Sequence, residues 1–122
     1  EYTGLGLPII IDFGADYCEP CKVMKPTIHK LNNELEGKAI IKYIDVEKYP
    51  ELAEGYPVSV IPTQFLFTAE GKPYMPSEEL SSGMIAYSNK ETDEHVLTAH
   101  HGLLTESQLL NILHEMGLEN AE

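Results

Sequence analysis

Pro8-Ile9-Ile10-Ile11-Asp12-Phe13, with Cys18-Glu19-Pro20-Cys21 just beyond it, is the stretch that decides the fold. The first part is an apolar run of strand length, near-continuous as in a central strand covered on both faces. The segment after the cysteines has helical spacing, with apolar residues at Val23, Met24, Ile28, Leu31 and Leu35. The Cys-x-x-Cys therefore falls at a strand-to-helix junction. There the first sulfur meets unpaired backbone N–H groups and the positive end of the helix dipole, which stabilise a thiolate. The second sulfur, one turn on, is close enough to close a small disulfide ring. These are the only two cysteines in the chain. A purely structural disulfide, or two thiols in a core, is the plainer alternative.

The elements on either side extend this unit. A strand over residues 8–14 leads into a helix over 19–36, interrupted by Pro26 and stopped by Gly37. Residues 39–46 form the next strand, and strand, helix, strand at this spacing is a βαβ unit with parallel strands. Pro50 to Tyr56 reads as a short helix with proline at its start. Thr63-Gln64-Phe65-Leu66-Phe67-Thr68 is a third strand, ended by the turn signal Glu70-Gly71-Lys72-Pro73. Residues 74–94 are polar and irregular and read as a long surface excursion. His95 to His101 returns as a strand and Gly102 breaks it. A last amphipathic helix runs to Met116, with Thr105 as its N-cap and Gln108 at the capping-box position.

With 122 residues, 43% of them hydrophobic, the chain has apolar material for one core and one domain. It contains no apolar run long enough to cross a bilayer. A formal charge of −12 argues against a phosphate-backbone partner, so nucleic acid is not expected. Two cysteines are too few for a disulfide-stapled scaffold. The chain starts at Glu1 with seven residues before the first apolar strand, which reads as a processed or trimmed start.

The stretch Asp12-Phe13-Gly14-Ala15-Asp16-Tyr17-Cys18-Glu19-Pro20-Cys21-Lys22 resembles the active-site signature of the thioredoxin superfamily, commonly D-F-W-A-x-W-C-G-P-C-K. Val60-Ile61-Pro62-Thr63 resembles its second signature, I-P-T, whose proline is cis in the family. Pro26 matches the family's kinking proline, and Gly102 falls where its last strand ends in glycine. The combination of Gly14-Ala15, Cys-x-Pro-Cys-Lys and Ile-Pro-Thr-Gln is similar to bacterial extracytoplasmic members, often paired with membrane electron carriers. The chain departs from the pattern in several places. Tyr17 replaces the tryptophan before the first cysteine, and Glu19 replaces the glycine between the cysteines. The extra N-terminal strand and helix have no room in the seven residues before the first strand. The lysine that often sits beside the buried acid is displaced, with Tyr43 at its position and Lys42 one residue off.

The resemblance implies an α/β thioredoxin-like fold: a single domain over residues 1–122, with a central mixed β-sheet of about four strands flanked by helices. It implies Cys18 as the attacking thiolate, Cys21 as the resolving thiol, and Asp12 as proton acceptor for Cys21. Buried in an apolar strand, Asp12 should have a raised pKa, whether it serves catalysis or is a hydrogen-bonded structural acid. Pro62 would be cis and, with the backbone of Ile61, hold an extended substrate in strand-like pairing. The alternative is an ordinary trans turn proline. Tyr17, Glu19 and Pro20 complete the substrate-binding set. Glu19 either disfavours the Cys18 thiolate, making the pair a better reductant, or points to solvent and is screened, with Lys22 offsetting it in part. His95, His100 and His101 invite a zinc site with the cysteines, but strand alternation separates them, and exposed or partly packed histidines are the preferred reading.

The chain is thus expected to be a protein-disulfide reductase with no cofactor beyond the Cys18–Cys21 disulfide and no metal. Its partners would be protein disulfides and an upstream dithiol reductase or membrane electron carrier. A monomer is expected, on the extracytoplasmic side of a membrane, with the cytoplasm as the alternative. Two competing functions are a metal-binding module without turnover and a partner-specific electron relay that docks through residues 74–94.

Overall fold

A computed structural model describes residues 6–118. Strand β1 (Ile9–Gly14) is buried along its whole length. Its parallel neighbour β2 (Ile40–Asp45) is reached through helix α1 (Glu19–Glu34), which contains Pro26. A 3-10 turn at Pro50–Ala53 stands where the sequence suggested a short helix to Tyr56. Strand β3 (Thr63–Phe67) then pairs antiparallel with the other edge of β1. Strands β4 (Met84–Ser88) and β5 (His95–His101) form an antiparallel pair, and helix α2 (Glu106–Glu115) follows. The sheet is mixed, with strand order β2-β1-β3-β5-β4.

The fifth strand is a refinement of the sequence reading. It lies inside the 74–94 excursion, which the polar composition marked as irregular. As an edge strand with mostly exposed or half-buried residues, β4 carries little of the hydrophobic signal by which strands are recognised. A β-bulge opposite Tyr87 and Ser88 also breaks the strict alternation along β5. Beyond it, the His95 ring turns back to hydrogen-bond the Leu97 carbonyl and Thr98 Oγ1, at 3.1 and 2.6 Å.

Each face of β1 feeds its own core. Ile10 packs with Met24, Ile28 and Leu31 of α1 and with Leu109, Ile112 and Leu113 of α2. Ile9, Ile11 and Phe13 pack on the other side with Phe65, Phe67 and Ala99. That second face is covered by Val46, Ala53, Tyr56 and Val58 from the β2–β3 connection. The rings of Phe13, Tyr56 and Phe65 lie within 5.7 Å of one another there. Both α-helices thus contribute to the face that carries Ile10 and, two residues on, Asp12.

The N-terminus of α2 is closed as the sequence suggested. Thr105 Oγ1 accepts from Gln108 N at 3.2 Å, and Gln108 Oε1 accepts from Thr105 N at 2.8 Å, which satisfies two N–H groups the helix cannot pair internally. Thr105→Ala should therefore lower stability by about 1 kcal/mol, whereas Thr105→Ser should change it by only a few tenths. Urea unfolding of the two variants checks this.

Candidate active site

β1 and β3 run antiparallel, with Phe13 opposite Thr63. The chain leaving β1 toward Cys18 and the chain entering β3 through Pro62 therefore meet at the same end of the sheet. Cys18 is the N-cap of α1, and Pro20 occupies its first turn, where a missing N–H costs nothing. Cys18 and Cys21 are joined as a disulfide, with Cα atoms 5.2 Å apart. Cys18 is half-buried, and its sulfur accepts the Cys21 backbone N–H at 3.3 Å. Cys21 is fully buried. One cysteine of the pair is partly open to solvent and the other is not.

The Ile61–Pro62 peptide bond is cis, and the Ile61 carbonyl oxygen lies 3.9 Å from the Cys18 sulfur. The turn that presents it is pinned from two sides. Thr63 Oγ1 donates to the Val60 carbonyl at 2.7 Å, and Gly102 N donates to the Pro62 carbonyl at 2.8 Å. Tyr17, next to Cys18, and Val60, next to Ile61, are 68% and 49% exposed. Tyr17 Oη donates to Glu47 Oε2 at 3.3 Å, and the Glu47 charge pushes the Tyr17 phenol up from its ordinary value.

Asp12 is fully buried. Burial pushes its carboxyl up to about 7, and the one opposing influence is a hydrogen bond donated by Gln64 Nε2 to Oδ1 at 2.9 Å. Its other oxygen, Oδ2, has no hydrogen-bond partner among the described residues. In the register of β1 and β2, Tyr43 stands opposite Asp12 and Lys42 opposite Ile11. The residue facing Asp12 across this pair is thus a phenol, pushed up to about 12 by its own burial and by nearby carboxylates. Lys25 lies over that ring, its Nζ 5.1 Å from the Tyr43 centroid. Gly14 makes the close packing feasible. A Cβ there would come within 2.9 Å of both Cys21 Sγ and Tyr43 Cε1.

Of the expected site residues, Cys18, Cys21, Pro20, Ile61 and Pro62 come together around one sulfur, with Tyr17 on the exposed side. Asp12 lies beneath, on the face of β1 that packs against α1. Glu19 stands apart: its side chain is 82% exposed and faces Lys22 Nζ at 3.6 Å. Such a solvated pair favours the screened reading of Glu19 over a strong effect on Cys18. Among the described residues no group of three or more His, Cys, Asp or Glu is placed to hold a metal ion. Two residues that sequence reasoning left out of the site are Gln64 and His100. Gln64 lies two residues after Pro62, and a buried amide in an apolar strand is the signal that marks it.

Known proteins agree with this architecture. The Thioredoxin family model matches residues 6–90. A thioredoxin of Chlorobaculum thiosulfatiphilum is 34% identical over 88 residues, covering 72% of this chain and 79% of that protein. Thioredoxin 1 of Chlorobaculum tepidum is 39% identical over 61 residues, and the match spans 50% of this chain and 60% of the relative's length. The crystal structure of chloroplastic thioredoxin z superposes with a TM-score of 0.59 at 18% identity, covering 91% of this chain and 79% of that one. At that identity the likeness is one of fold alone. The fold, the paired cysteines at the helix N-terminus and the match over residues 6–90 have one conclusion: the chain belongs to the thioredoxin family.

Proposed function

We propose that this chain is a thiol–disulfide oxidoreductase that reduces disulfides in other proteins through Cys18 and Cys21. The observation that carries the reading is the asymmetry of the pair, with a partly open cysteine at a helix N-terminus beside the Ile61 carbonyl and a buried one behind it. In the reduced protein the Cys18 thiolate attacks a substrate disulfide, forming a mixed disulfide and releasing one substrate thiolate. The Cys21 thiol then loses its proton and attacks Cys18 Sγ. The Cys18–Cys21 disulfide forms, the second substrate thiolate leaves, and two electrons have passed to the substrate. Asp12, with Oδ2 unpartnered, is the acceptor for the Cys21 proton. A carboxyl near pH 7 is well matched to that task.

Substrate would lie across the turn at Pro62. Among the described residues neither the N–H nor the carbonyl of Ile61 is taken up by a backbone hydrogen bond. An extended peptide could pair with them as an added strand, near the exposed side chains of Tyr17 and Val60. Turnover requires an upstream dithiol reductase or membrane electron carrier to return the electrons. The likeness of Gly14-Ala15, the Cys-x-Pro-Cys-Lys run and Ile-Pro-Thr-Gln to extracytoplasmic proteins supports placing the chain outside the cytoplasm.

The mechanism separates the two cysteines. Cys18→Ser should abolish reduction of a disulfide substrate such as insulin. Cys21→Ser should accumulate a mixed disulfide at Cys18, visible by mass spectrometry as an adduct released by dithiothreitol. Full activity in Cys18→Ser would overturn the reading.

The buried acid also leaves a signature in stability. A carboxyl raised from 3.8 to about 7 binds its proton more tightly folded than unfolded. Asp12 therefore costs nothing below the unfolded value, costs progressively more as pH rises toward 7, and reaches a constant penalty above it. Three or so units correspond to roughly 4 kcal/mol at that plateau. Asp12→Asn keeps an oxygen for Gln64 and removes the charge. It should stabilise the oxidised protein by about 2–4 kcal/mol at pH 8.5 and hardly at all near pH 4, in paired urea titrations. It should also slow insulin reduction at pH 7 by about 10²-fold, the low end of the range for loss of a general base.

A further inference from the structure

Gln64 and His100 form a buried polar connection that the exchange chemistry above does not use. Gln64 Nε2 lies 2.9 Å from Asp12 Oδ1, 3.0 Å from the Gly102 carbonyl oxygen and 3.6 Å from Met24 Sδ. All three are acceptors, and the two amide protons satisfy the carboxyl and the carbonyl. The amide oxygen therefore points the other way, toward His100 Nδ1 at 2.8 Å. An oxygen cannot donate, so His100 carries a proton on Nδ1, and in the neutral ring Nε2 is left as the acceptor. Turning the amide over would set its oxygen against both the Gly102 carbonyl and Asp12 Oδ1, two acceptors facing an acceptor in a dry site. The carboxyl and the Gly102 carbonyl thus orient the amide, the amide sets the tautomer of His100, and the His100 N–H holds the amide oxygen in place.

The backbone pairing builds this line. Asp12 is opposite Gln64 on β3, and Gln64 is opposite His100 on β5, so three neighbouring strands each place one polar side chain in register. At its far end the ring borders a pocket lined by Leu80, Met84, Leu104, Gln108 and Glu79. Gly83, at φ +76°, gives it room, because a Cβ there would stand 2.9 Å from His100 Nε2. The line runs from beneath the cysteines to a second surface of the molecule.

We propose that Gln64, held by His100, is a positioning residue for the exchange reaction: it engages Oδ1 of Asp12 and leaves Oδ2 as the one atom that takes and returns a proton. This deepens the reading of Asp12 as proton acceptor and rests on it. Here the partner that Asp12 meets is the Gln64 amide, itself bonded to His100. An amide donor stabilises the carboxylate less than a full positive charge does, which leaves Asp12 titrating near neutrality. The groups bearing on Asp12 are Gln64 from β3, which bonds it, and Tyr43 from β2, whose phenol feels its charge. Those bearing on His100 are His101 of its own strand, the Gly102 backbone, and Glu79 and Gln108 at the pocket. Burial and the neighbouring His101 lower the His100 value, so its ring is neutral at pH 7 and the orientation just described is the working one.

The test is the titration of the Asp12 side-chain carboxyl by carbon-13 NMR in the oxidised full chain, in Gln64→Met, His100→Leu and His100→Gln. Gln64→Met keeps the shape and removes the donor, and should move the Asp12 midpoint up by about one pH unit, the loss of one charge-assisted hydrogen bond. His100→Leu should move it in the same direction by a smaller amount. His100→Gln restores an N–H toward the Gln64 oxygen and should return it toward the starting value. Circular dichroism confirms that each variant is folded, and if Gln64→Met does not fold, the two His100 variants carry the test. A midpoint unmoved in folded Gln64→Met, or moved equally in both His100 variants, would overturn the proposal. The pH profile of insulin reduction in the same variants is read separately. A profile that stays put while the Asp12 midpoint moves would leave the positioning of the carboxyl standing and contradict Asp12 as the proton acceptor.

Discussion

The site depends on the pairing of β1 with β3. Their register places Phe13 opposite Thr63 and Asp12 opposite Gln64, and those two pairs set the positions of the other groups. Cys18 and Ile61-Pro62 are brought to one end of the sheet, while the acid and its amide partner are buried on the α1 face. Because side chains alternate along a strand, a slip of one residue would send Asp12 to the aromatic side with Phe65. The apolar alternation of Ile9, Ile11 and Phe13 against Ile10 holds the register, since each set fits only its own core. Gly102, the residue after β5, adds a lock. Its N–H engages the Pro62 carbonyl and its own carbonyl accepts from Gln64, so one backbone unit ties the substrate-facing turn to the buried acid.

Chemistry and stability pull against each other at Asp12. A buried carboxyl with one free oxygen destabilises the folded state above its own titration point, yet the free oxygen is what can accept a proton. The neighbours moderate the conflict without removing it. Gln64 stabilises the charged form through Oδ1, and Tyr43, which stands opposite Asp12 on β2, brings no positive charge. Gly14 permits the buried sulfur and the Tyr43 ring to pack side by side where any side chain would collide. The charges nearer the surface are arranged differently. Glu19 and Lys22 face each other in solvent at the start of α1, so neither dominates the field at Cys18.

Much of this was legible in the sequence because the decisive features are local. A Cys-x-x-Cys between an apolar strand and a helix, a proline before the third strand, and Thr105 with Gln108 at a helix start are patterns of a few residues. They formed as read. The single acid within Ile9-Ile10-Ile11-Asp12-Phe13 announced its own burial. The features that escaped were non-local or weakly patterned. β4 is an exposed edge whose partner supplies the reason for its conformation, so the 74–94 segment looked irregular. The bulge in β5 undid the parity by which His95 was related to His100 and His101. Gln64 and His100 are far apart in the chain, and only the sheet brings them into contact. A histidine considered as a stray metal ligand is a hydrogen-bond donor to the amide that steadies the acid.

The Cys18 thiolate of the reduced protein would be only moderately stabilised. Among the described residues its one backbone donor is Cys21 N–H, and the closest cation in sequence, Lys22, is turned toward Glu19. Strongly oxidising pairs rely on a heavily stabilised thiolate, so this one should be reducing. The most direct test is the reduction potential of the Cys18–Cys21 pair, from equilibration in graded dithiol buffers with thiol alkylation and mass readout. A reversible two-electron couple at about −270 mV or more negative is the predicted result. A potential near about −120 mV, the range of a disulfide donor, or no reversible couple at all, would contradict a reductase built on these two sulfurs.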